Sequence, residues 1–191
     1  MRRLTSALCA VGAAALAIAL TDIKVHAWDC DFLTGGGFIY VDGAKGTFAI
    51  GGGCKKNVPD QHGPYWGHLE YHDHGNGLNA HWQTITAYRE LESSTDDQGR
   101  LLGQRLICGT ATTNLYGDVN FAVVARDSGE PGVNDEFDIQ LTFLGGSLAY
   151  TTFGDSPHKL GGGDGGGGNI QLHKPNPSNV GEFGGDCPAL F

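Results

Sequence analysis

Hydrophobic and polar residues alternate along most of this chain in short runs, each closed by a glycine-bearing turn. Phe137, Ile139, Leu141 and Phe143 interleave with Asp138, Gln140 and Thr142, the period-two pattern of a half-buried strand. Phe38–Val41 passes through Asp42-Gly43 into Lys45–Ile50, and Asp-Gly suits a tight hairpin because both residues tolerate positive φ. Further strands are predicted over Tyr65–Asp73, Leu78–Leu91, Leu101–Thr113, Val119–Ala125, Ser147–Phe153 and Asn169–Lys174. Trp82, Thr84, Thr86 and Tyr88 are residue types that favour a pleated surface. No long segment carries a helical period. About nine strands at this spacing predict an all-β fold, either an antiparallel β-sandwich or a closed barrel. Periodicity leaves that choice open.

The N-terminus breaks the pattern. Arg2 and Arg3 precede an apolar run from Leu8 to Leu20, and a short polar stretch ends at Val25-His26-Ala27. This is the layout of a signal peptide spanning residues 1–27, with cleavage after Ala27. The run is too short for a comfortable membrane span, and no second one follows. Residues 28–191 then form a single domain in a secreted or periplasmic location. Their charge is 9 Lys and Arg against 20 Asp and Glu, or −11, because Arg2, Arg3, Lys24 and Asp22 leave with the signal. So acidic a chain lacks the basic surface needed for phosphate backbones, which argues against a nucleic-acid partner.

Cleavage also removes Cys9 and leaves Cys30, Cys54, Cys108 and Cys187. An even set in an exported chain predicts disulfides. Three pairings are possible; the favoured one clasps the ends through Cys30–Cys187 and joins strands through Cys54–Cys108. Zinc is disfavoured because no close cysteine pair exists. Glycine supplies 32 of 191 residues without a three-residue repeat, which excludes collagen and leaves turns and bulges. The tract 161–168 reads as a flexible surface loop.

Three clusters carry candidate chemistry. His68, Glu70, His72 and His74 fall on alternate residues, with His62 and His81 flanking them, so one strand face would carry imidazoles and a carboxylate suited to a transition metal. The same residues also make an ordinary polar stripe. Asp127, Glu130, Asn134, Asp135 and Asp138 supply hard oxygen donors around an irregular loop, as calcium requires, or cap their own turn. Trp66, Tyr65 and Trp82 (with Tyr88) offer a platform for a sugar ring, or serve as core and cross-strand pairs.

Catalytic sets are incomplete. Glu136-Phe137-Asp138-Ile139-Gln140 resembles the carboxylate strand of β-jelly-roll glycosidases, but Gln140 stands where the second glutamate belongs and an amide cannot act as acid or nucleophile. Gly154-Asp155-Ser156 is followed by Pro157 where a serine hydrolase would place an oxyanion amide.

The blocks Gly35-Gly36-Gly37-Phe38, Tyr65-Trp66-Gly67-His68-Leu69, Asp73-His74, Ile85-Thr86-Ala87-Tyr88 and Gly129-Glu130-Pro131-Gly132 stand in an order that is similar to one family of exported bacterial domains. Asp135-Glu136-Phe137-Asp138-Ile139 and Gly168–Lys174 extend the likeness over roughly residues 32–188. The family is the post-choice-of-anchor (post-COAP) domain. The resemblance implies an exported β domain with no established reaction, cofactor or catalytic residue. The expected function is a secreted, non-enzymatic binding or structural module whose partner is a glycan or a protein at the envelope, with structural calcium as a candidate ion. The alternative is a metal-dependent hydrolase using His68, His72 and His74.

Overall fold

The computed structural model describes residues 30–55 and 64–191. The signal segment, Cys9 and His62 lie outside them. The chain is all-β. Strands β1 (Phe32–Val41), β2 (Ala44–Cys54), β3 (Tyr65–Asp73), β4 (Leu78–Thr95), β5 (Leu101–Thr113), β6 (Gly117–Asp127), β7 (Glu136–Phe143), β8 (Leu148–Thr151), β9 (Gly168–His173) and the dipeptide β10 (Gly184–Gly185) form one antiparallel sheet. β10 is the strand missing from the expected nine. Strand order is β8-β7-β6-β5-β4-β3-β2-β1-β9, with β10 attached to β4, so pairing leaves two edges and does not close the sheet.

Each of β1 to β7 pairs with the strand that follows it, and inward positions alternate with outward ones. Ile50, Leu69, Tyr71, Ile107, Phe121, Phe137 and Ile139 are buried on the inner face. The sheet curls over this core until β2 meets β7, where Phe48 and Phe137 stack with ring centroids 3.8 Å apart. Burying a ring such as Phe137 contributes about 2–3 kcal/mol, and stacking adds roughly 1 kcal/mol.

Two glycine triplets expected to lie outside strands are inside them. Gly35–Gly37 continues β1 and Gly51–Gly53 continues β2, because the neighbouring chain comes too close for side chains. A Cβ on Gly37 would sit 2.2 Å from the Gly167 carbonyl oxygen. The other half of that contact anchors the glycine tract 161–168, which lies at the surface at Gly162, Asp164, Gly166 and Gly168 while Leu160, Gly161 and Gly167 are buried. Phe38 N–H donates to Gly167 O at 2.8 Å, and a Cβ on Gly167 would strike the Gly161 nitrogen.

The disulfides also differ from the favoured pairing. Cys30 bonds Cys54 and Cys108 bonds Cys187, with Cα separations of 5.9 and 5.3 Å. Cys30 sits at the start of β1 and Cys54 at the end of β2, which the hairpin brings side by side. Cys108 points out of β5 toward the C-terminal tail, so the ends are not clasped to each other. That tail crosses the outer face of the sheet. It pairs with β4 at Tyr88 and Ala87, bonds Cys108, and reaches β7, where Gln140 donates to Ala189 O at 2.7 Å and accepts from Phe191 N at 2.8 Å.

Candidate functional site

The β3–β4 hairpin places most of the candidate residues. Its turn is set by short side chains folding back on the backbone: Gly75 N–H donates to Asp73 Oδ1 at 2.7 Å and Leu78 N–H to Asn76 Oδ1 at 2.8 Å. Leu69, Tyr71 and Asp73 are buried, so His68, Glu70 and His72 face outward, as alternation requires. The two strands pair only from Glu70–Asp73 to Leu78–His81. Beyond that point register shifts at Trp82/Thr84 and Ile85/Ala87 turn β4 away, and β10 takes up its free side further on.

The strands therefore part, and a slot of about 240 Å³ opens between them. Tyr65, Trp66, Gly67, Trp82, Thr84 and Lys55 line it. All three predicted aromatic ligand residues meet there, although they do not form one flat platform. Tyr65 and Trp82 pack toward the core. Trp66 stands on the outer face, where its indole leans over Gly53 and donates to Asn179 Oδ1 at 3.0 Å. Burial raises the Tyr65 phenol, with Arg89 opposing that shift.

A larger, open cleft of about 540 Å³ adjoins the slot along the same strands, with Phe48, Ala49, Tyr71 and Ala80 among its lining. Glu70, His72, Asn79, His81, Thr112 and Asn114 line its walls. Glu70 accepts from His81 Nδ1, and Asn114 Oδ1 accepts from Asn79 N at 2.7 Å. His81 of the cleft and Trp82 of the slot are consecutive, with ring centroids 6.4 Å apart. Fixed amides, a hydroxyl, imidazoles and one carboxylate thus lie next to an aromatic slot. Such a surface can hydrogen-bond a polyhydroxylated ligand while packing against its apolar ring faces.

The histidines do not converge on one point. His68 leans over Gly51, His72 packs on His74 at 4.0 Å between centroids, and His74 Nε2 lies 3.2 Å from Thr47 Oγ1. Among the described residues no group of three or more His, Cys, Asp or Glu side chains is placed to hold a metal ion.

The acidic residues between β6 and β7 serve the sheet seam. Asp127 accepts from Gly129 N and Leu172 N, and Asp135 from Ser128 N and Ile170 N, all at 2.8 Å. Two carboxylates thus take the outward amides of β9, whose far side has no strand partner among the described residues. Burial raises the Asp135 carboxyl, partly offset by those two amides. Glu130 accepts from Asn169 Nδ2 at 3.0 Å and Asn134 from Lys159 Nζ at 3.1 Å. Asp138 lies apart from them on β7, accepting from Thr152 Oγ1 and from the side chain and backbone of His158. Burial raises its carboxyl, and the His158 and Thr152 bonds oppose that. The five proposed calcium ligands are thus divided among separate protein donors.

Sequence reasoning missed several of these groups. Asn79 and Thr112 fall inside strand-patterned segments and Asn114 just past one, so nothing local marks them. The Asp138–His158 pair joins residues 20 apart, bonded at 2.7 Å through Nδ1. Ser156 lines a small pocket with Glu136 and Asp138, but no hydrogen bond joins it to His158 among the described residues. Arg105 is wholly buried, a position that composition would assign to an apolar residue.

No protein-family model, curated protein or solved structure matches the chain.

Proposed function

We propose that this protein is a secreted, non-enzymatic binding module whose curled, barrel-like sheet holds a short stretch of glycan along β3 and β4. One observation carries the reading: Tyr65, Trp66 and Trp82 meet in a slot that adjoins a cleft of amide, hydroxyl, imidazole and carboxylate groups. Aromatic faces suit the C–H face of a sugar ring, and groups held by the backbone suit its hydroxyls. Two disulfides fit an oxidising compartment, as does the N-terminal signal pattern. The family resemblance carries no reaction, in keeping with a binding role.

The test is titration of the mature protein with soluble oligosaccharides of the envelope and extracellular matrix, followed by calorimetry and tryptophan fluorescence. The expected result is saturable binding that Trp82→Ala and Glu70→Gln each weaken by about tenfold, or roughly 1.4 kcal/mol. Absence of binding to every glycan class, or turnover of the sugar, would overturn it.

A further inference from the structure

The two ends of the sheet are finished differently. At β9 the carboxylates of Asp127 and Asp135 occupy the outward amides. At β8 no strand pairs with the outer edge among the described residues. Exposed edges are guarded against association by short length, bulges, charge or proline. This one is four residues long beside a bulge, but carries neither charge nor proline. Residues 139–154, which include all of β8 and its hairpin, contain no Asp, Glu, Lys, Arg, His or Pro, in a chain of net charge −9.

Large apolar side chains gather around the same hairpin. Phe143, Leu144 and Leu148 are 39, 66 and 42% exposed. Leu115 is exposed on the adjoining hairpin, whose Tyr116 ring meets Phe143 edge-on at 6.0 Å. Phe191, also exposed, is held to Gln140, the strand partner of Thr151.

We infer that the β8 edge joins two copies of this chain, paired antiparallel about a two-fold axis. An acidic molecule repels its own copy over most of its surface, and this uncharged hairpin is where two copies can touch without that cost. A two-fold contact lets each β8 supply the donors and acceptors that the other lacks, and brings the apolar hairpins of both copies, Leu144 and Leu148 included, into one interface. A charged partner would find no complementary charge here.

The inference is independent of the glycan reading, and sedimentation velocity on the ligand-free mature protein tests it. The expected result is a mass that rises from one chain toward two across the micromolar range. Leu148→Lys should raise the dimer dissociation constant by at least about tenfold by placing two like charges in an otherwise uncharged interface. Leu91→Lys, an exposed leucine on β4, should leave it unchanged. A single-chain mass for the unmodified protein at every concentration, or a dimer indifferent to Leu148→Lys in a folded variant, would overturn the inference. So would association with neutral lipid vesicles without self-association.

Discussion

Asp31 and Arg105, 74 residues apart in sequence, face each other in the interior with almost no exposure. All five guanidinium N–H groups of Arg105 are used: two on Asp31, and one each on Glu92 O, Gln104 O and Ser93 Oγ. Tyr88 Oη donates to the same carboxylate at 2.7 Å. Burial works against the Arg105 charge, but Asp31 outweighs it and the guanidinium is held more basic than usual. The pair fixes the start of β1 against β5 beside the Cys30–Cys54 bond.

Removing one partner leaves the other charge buried. Asp31→Leu or Arg105→Met alone is expected to cost about 3–5 kcal/mol, whereas the two changes together should cost less than either. Urea denaturation of the three variants checks this. Equal losses in all of them would show that the pair does not act as a unit.

High pH should unfold the protein through its tyrosines. Burial pushes Tyr71 up to about 12, with Tyr150 hydrogen bonding opposing it, and burial also raises Tyr88 and Tyr150. A phenol that ionises later when folded keeps stability intact below its ordinary value near 10 and loses it as pH rises toward its folded value. Stability should therefore fall from about pH 10 toward pH 12. Phenolate absorbance would show Tyr71, Tyr88 and Tyr150 ionising only with unfolding.

The two disulfides should differ in weight. Sequence separations are 24 for Cys30–Cys54 and 79 for Cys108–Cys187. Chain entropy alone makes the longer loop worth about 1 kcal/mol more, within an overall range of about 2–4 kcal/mol each. Paired Cys→Ser variants compared by thermal melting test the ranking. Loss of Cys108–Cys187 should also speed amide exchange at Gly184 and Gly185, where the tail pairs with β4.

The seam carboxylates should behave as structural groups. Asp135→Ala strips acceptors from Ser128 N and Ile170 N, at a cost of about 2–4 kcal/mol. Calcium would have to displace those amides, so its addition should leave the melting temperature of the unmodified protein unchanged. A rise of several degrees would place a cation at the seam instead.

Much of the fold was legible because strands announce themselves locally. The alternation of Phe137–Phe143 and the Asp42-Gly43 turn map directly onto β7 and the β1–β2 hairpin. Gly35–Gly37 could not be read that way, since its place in β1 is imposed by Gly167 from far along the chain. Tyr65, Trp66 and Trp82 stood out as a group, yet the slot they line exists because register shifts part β3 from β4, and local sequence does not encode them. Asp127 and Asp135 show the opposite limit. A carboxylate awaiting calcium and one capping a strand edge look alike in sequence and differ only in what lies across the seam.

The tail across β5 also imposes an order of assembly. As the chain emerges N-terminus first, Cys54 follows Cys30 by 24 residues, and that bond can form while the β1–β2 hairpin is new. Cys108 must wait for 79 more residues before Cys187 arrives. Throughout that interval its thiol is on hand to attack the finished Cys30–Cys54 bond, and only the folding of β5 into the sheet withdraws it. The strap is thus the later of the two bonds to become possible, and the tail that carries it also contacts β4 and β7.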